Sequence, residues 1–294
     1  MQVDTFLQVG RGIFLASAIA LALPVSASAA VITFQASGAD AASIQATVDS
    51  FRTAVSSGGV NNGNTPGSLP DGRREVNWDG GGAAANATLF TSPMNTFNTG
   101  GTTRGLVSTT PGTGFEISGQ PTPEFGDINA VYPSIFQTFS APRLFSPVGS
   151  NVMDALFFVP GTSTPASIFG FGAVFTDVDL ANTSSLEFFN LANVSLGTFF
   201  VPTFNNGLSF LGVTFTDSIG RVRIRTGNAA LGPNDGGATD VVALDDFIYS
   251  EPQAAAAVPE PASLALLATG VAAIVARGRR RGLTALLGAA RARR

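Results

Sequence analysis

The chain contains no cysteine and no histidine in its 294 residues. Disulfides are therefore excluded, whatever the compartment. Thiol nucleophiles, zinc sites built on Cys or His, and Ser-His-Asp triads are excluded with them. Lysine is missing too, so all sixteen basic residues are arginine. There is a single tryptophan, Trp78. What the chain does have is phenylalanine, used 24 times. That richness suits the interface between two packed sheets, about 10 Å thick.

Charge is segregated along the chain. Residues 30–258 hold eight Arg against eighteen Asp or Glu, a net charge near −10, whereas beyond residue 276 there are seven Arg and no acid. An acidic body argues against nucleic acid, whose recognition needs a basic footprint.

Residues 1–29 read as a secretory signal peptide. Arg11 precedes an apolar run at 13–23, Pro24 breaks it, and Ala27-Ser28-Ala29 supplies a small-x-small cleavage pattern. A first strand is expected over 31–35. Ile44, Val48, Phe51 and Val55 are then spaced 4, 3 and 4, the mark of an amphipathic helix. Asp40 or Ser43 can cap it, and Gly58-Gly59 can end it.

From residue 88 onward, short apolar pieces alternate with turn clusters, as in an all-β sandwich or barrel. The clearest strands are expected at 152–159, 168–176, 185–190, 195–201, 208–216, 220–226 and 241–249. The pieces at 185–190 and 195–201, joined through Ala192-Asn193, form a hairpin signal. Arg221-Val222-Arg223-Ile224-Arg225 alternates strictly, with arginine on one face and apolar residues on the other.

Candidate chemistry lies in two places. Trp78 sits between Asn77 and Asp79. Such a trio can stack on a sugar ring and bond its hydroxyls, or the indole can plug a core gap. Asp177 and Asp179 follow a strand, and Asp235 and Asp240 flank a glycine-rich loop. Hard oxygen ligands at alternate positions suit calcium if those loops share one end of the sandwich. The alternative is turn chemistry, in which Asp bonds its own backbone. Asp245-Asp246 lies in the last strand, where alternation turns one carboxylate inward. A buried charge needs a partner, and Arg221, Arg223 or Arg225 is expected to supply it across strands, a metal or ligand contact being the alternative.

The C-terminus has three parts in order. Val258-Pro259-Glu260-Pro261 is a rigid acidic segment, an uncharged run follows to residue 276, and Arg277, Arg279, Arg280 and Arg281 form a basic cluster. From Pro261 the uncharged run is sixteen residues, about 24 Å as a helix against a hydrocarbon core of about 30 Å. It reads as a short membrane span, with the arginines held on the cytoplasmic side.

This tripartite end resembles the PEP-CTERM sorting signal of Gram-negative bacteria. The resemblance implies recognition and processing by an exosortase and export toward the cell surface or extracellular matrix. The tail at 282–294 is longer than the few basic residues usual in that family.

The expected architecture is all-β, a jelly-roll-like β-sandwich with one N-terminal amphipathic helix, a signal peptide and a C-terminal membrane helix. Its divisions are a signal peptide at 1–29, an ectodomain at 30–252 and a linker at 253–258. The sorting signal follows at 259–281, with its span at 262–276, and a basic cytoplasmic tail closes the chain at 282–294. The expected partners are signal peptidase, the secretion translocon, exosortase, the membrane as a transient anchor, and extracellular polysaccharide. The expected role is a non-catalytic surface or matrix protein. A glycan-active hydrolase, needing two carboxylates across a cleft, and a purely structural surface protein stand as alternatives.

Overall fold

The computed structural model describes residues 30–255 and Gly270. The signal peptide, the sorting signal and the basic tail lie outside these residues, Gly270 excepted. No helix among the described residues is long and apolar enough to cross a membrane.

In chain order the strands are β1 (Val31–Gly38), β2 (Arg73–Val76), β3 (Thr88–Phe90), β4 (Leu106–Thr109), β5 (Gly114–Ile117), β6 (Phe145–Val148), β7 (Val152–Phe157), β8 (Ala166–Val178), β9 (Ser185–Phe189), β10 (Ser195–Phe200), β11 (Phe204–Ile219), β12 (Arg221–Arg225), β13 (Ala243–Ser250) and β14 (Gln253–Ala254). Two α-helices accompany them among the described residues, α1 (Ala41–Ala54) and the single turn α2 (Tyr132–Ile135), with a short 3-10 turn at Gly82–Ala84.

The strands form a β-sandwich. The larger sheet runs β1-β11-β8-β13-β6-β5-β3, with β14 added to β8 and β2 to β13. The smaller runs β10-β9-β12-β7-β4. The β9–β10 hairpin pairs antiparallel as its sequence suggests. Apolar side chains from both sheets meet between them, among them Phe171, Phe175 and Phe247 from the larger and Phe157, Phe188 and Ile224 from the smaller.

The larger sheet is covered on its outer face as well. Helix α1 lays Ile44, Val48, Phe51 and Val55 on Val174, Leu208, Phe210 and Ile248. Asp40 starts the helix by accepting the Ser43 amide at 2.9 Å, which satisfies a donor that the helix cannot. Glycines in the sheet make the close approach possible. A Cβ at Gly212 would stand 2.6 Å from Cδ2 of Phe51. Further along the same face, Phe125, Tyr132 and Phe136 cover Leu144, Val241 and Ala243.

The linker expected from residue 253 begins later. Gln253 and Ala254 pair with Ser167 and Ala166 of β8, and the Ala255 amide donates to the Pro165 carbonyl at 3.2 Å.

Candidate functional site

Of its two candidate roles, Trp78 takes the core. The indole is 2% exposed. Phe145 stacks on it at 3.7 Å, and Phe97 and Phe247 meet it edge-on at 5.1 Å each. Its Nε1 donates to the Asp245 carbonyl at 2.9 Å, so the polar end of the ring is satisfied. A broad sugar-stacking surface is therefore not what this ring presents.

Trp78 nevertheless forms part of the wall of a cavity of about 530 Å³, together with Asn77, Asp79, Phe90, Phe97 and Arg104. Phe90 and Phe97 are half-buried and Asn77 is exposed. Asp79 is the only acid among the described residues of the lining. One of its oxygens accepts the Arg143 amide at 3.1 Å, and the other lies 3.1 Å from the Ser140 hydroxyl, whose proton goes to Asp246. Burial pushes its carboxyl above the usual range, opposed first by the Arg143 amide and then by the nearby Ser140 hydroxyl. Phe90, Phe97 and Arg104 had no motif to mark them. The fold alone brings them beside Trp78.

The glycine-rich loop does share one end of the sandwich with the end of β8. Carboxylate oxygens of Asp177, Asp179 and Asp235 lie within 4.8 Å of one another. Asp240 is not part of this group. It is wholly buried and closes the turn after β8, accepting the amides of Asp179 at 3.1 Å and Leu180 at 3.4 Å and the Thr183 hydroxyl. Asp177 is 2% exposed. Burial pushes its carboxyl up to about 7; the Asn206 amide opposes this and the neighbouring acids add to it. Asp179 is raised by burial and by the charges of Asp240 and Asp235.

The expectation for Asp245-Asp246 is corrected. Arg221 and Arg223 lie in the other sheet and bind Asp154 on β7, at 3.0 and 2.9 Å. Arg225 forms no salt bridge among the described residues. The pairing of β13 with β8 passes from Leu244–Phe175 to Phe247–Ala173, one extra residue on β13. This bulge breaks the alternation, and both carboxylates meet the Phe139-Ser140 segment. Asp245 accepts both amides, at 2.6 and 3.1 Å, and Asp246 accepts the Ser140 hydroxyl at 2.5 Å. The nearest cation is Arg52, 3.6 Å from Asp246. Burial raises Asp245 well above the carboxylate range, with the Asp246 charge next in effect.

Glu116 has no telling context in the sequence, yet it is 3% exposed on β5, and among the described residues its Oε1 has no hydrogen-bond partner.

In the C-terminal part of the sequence, residues 257–281 match the family model of the PEP-CTERM protein-sorting motif. The chain carries a PEP-CTERM sorting signal. That signal indicates an exported protein, processed by an exosortase and transiently anchored in a membrane. No curated protein and no solved structure matches the chain. The PEP-CTERM signal starts two residues after Ala255, whose amide is still bonded to the edge of β8.

Proposed function

We propose that this PEP-CTERM protein is a non-catalytic component of the surface or extracellular matrix of a Gram-negative bacterium, and that it holds a neutral polysaccharide in the cavity beside Trp78. Signal peptidase releases the translocated chain after Ala29, and exosortase processes it near Glu260. The contacts of Ala30 support the first cut. Its amide donates to Thr216 Oγ1 and its carbonyl accepts the Thr216 amide, both at 3.1 Å. The residue after the cleavage point is thus already part of the larger sheet.

The observation that carries the binding reading is the cavity. Its volume lies within the range of small-ligand sites. Half-buried Phe90 and Phe97 offer apolar faces to the C–H side of a sugar ring. Asn77 and Arg104 offer polar atoms to its hydroxyls. The net negative charge of the body favours a neutral glycan over an acidic one. Hydrolysis would need two carboxyl groups facing one cleft. Among the described residues lining it, Asp79 stands alone, with one oxygen held by the Arg143 amide.

The test is a glycan array probed with mature protein purified from its host. Neutral polysaccharides should be retained, and Phe97→Ala should weaken retention about tenfold, a loss of ~1.4 kcal/mol. No retention by the unaltered protein would refute the binding role, and shortened glycan products would replace it with the hydrolase.

A further inference from the structure

We infer that the end of the sandwich formed by Asp177, Asp179 and Asp235 binds a calcium ion. The inference does not depend on the glycan cavity, which is lined by other residues.

Three observations support it. The first is geometry. Oxygens bound to one calcium at 2.3–2.6 Å can stand no more than about 5 Å apart, and the three carboxylates meet that limit at 4.8 Å. The donors are all hard oxygens, the set that calcium takes and softer metals do not.

The second is a missing partner. Asp179 Oδ1 is fully buried and, among the described residues, has no hydrogen-bond donor. A buried acceptor left unpaired costs about 1–3 kcal/mol, more when charged, so such atoms are rare unless an ion or water meets them. Asp177 points the same way. It is 2% exposed, and among the described residues its one hydrogen bond comes from the Asn206 amide to Oδ1 at 2.7 Å. The other partner within reach of its side chain is the Asp179 carboxyl, another acid and not a cation.

The third is charge balance. Among the described residues none of the three acids forms a salt bridge. Asp240 brings a fourth negative charge close by. Like charges gathered without a cation repel one another. A divalent ion removes that penalty.

Turn chemistry accounts for only part of the arrangement. Asp235 Oδ1 accepts the Val241 amide at 3.2 Å, and Asp240 closes the turn after β8. These bonds leave oxygens of Asp177 and Asp179 unused. Three protein carboxylates, completed by water, place the site in the weak class of extracellular calcium modules, with dissociation constants of about 10⁻⁴–10⁻³ M.

The experiment is thermal unfolding of the mature protein with calcium chloride alone, over micromolar to 10 mM concentrations. The melting temperature should rise as calcium passes about 0.1–1 mM, fall back on chelation, and respond less to magnesium. Asp179→Asn should keep the fold and lose the response.

A second readout covers the case in which that variant fails to fold. Tyr132 lies close enough to feel the charges of Asp177 and Asp235. Terbium bound there should luminesce when tyrosine is excited, and calcium should displace it. An unaltered melting temperature with no displaceable terbium signal overturns the proposal. So does an equal response to magnesium, or a calcium response undiminished in Asp179→Asn.

Discussion

Arg74 holds Glu251 by two hydrogen bonds of 2.6 Å, Nε to Oε2 and Nη2 to Oε1. The two residues are 0% and 3% exposed. The rest of the guanidinium donates to the carbonyls of Gly63, Thr65, Gly67 and Thr103. One buried cation thus ties three stretches of chain to the strand that leads out to the sorting signal.

Removing that cation should leave Glu251 buried and unpaired. We expect Arg74→Met to cost about 3–5 kcal/mol, read as a lower urea midpoint. The double variant Arg74→Met, Glu251→Leu should recover much of the loss, because no charge then stays stranded.

Trp78 separates stability from recognition. Trp78→Ala removes the ring stacked on Phe145 and should cost about 3–5 kcal/mol. Phe97→Ala, at a half-buried position, should cost less and affect glycan retention more. A Trp78→Ala variant as stable as the unaltered protein would contradict its placement in the core.

The seat of helix α1 depends on missing side chains. A methyl group at residue 212 would stand 2.6 Å from Phe51, too close for either group to keep its place. Gly212→Ala should therefore destabilise the protein by about 1–3 kcal/mol through overpacking, and hydrogen exchange in residues 41–54 should quicken.

Glu116 should make stability depend on pH. Burial, followed by the charge of Asp127, pushes its carboxyl up to about 7. Between the ordinary glutamate value and 7, the folded state keeps a proton that the unfolded chain has released. Stability from this group is therefore fully present below about pH 4.3 and falls as pH rises through 7. Glu116→Gln should flatten that part of the profile, measured by denaturant titration from pH 4 to 8. An unchanged slope would refute the assignment.

Much of the fold is legible along the chain because it depends on neighbours. The 4-3-4 spacing of Ile44, Val48, Phe51 and Val55 specifies a helix face, and all four residues are buried on the larger sheet. Strict alternation in β12 marks a strand with one wet face, and Val222 and Ile224 enter the core. Strands β8 and β13 are harder to delimit. Both faces of the larger sheet are covered, so nearly every residue in them is buried and alternation disappears. The cavity is less legible still, since Phe90 ends β3 and Phe97 and Arg104 lie in the connection that follows it, with no shared motif.

The sequence by itself determined the chain's address, because a sorting signal is read as a contiguous run of prolines, apolar residues and arginines. It also determined which segments could become strand or helix, because period is a local property. Only the tertiary structure decided which charges meet. A single-residue bulge in β13 turned Asp245 and Asp246 to Ser140, and sheet membership gave Arg221 and Arg223 to Asp154. Such pairings depend on register and layer order, which arise only when distant strands pack.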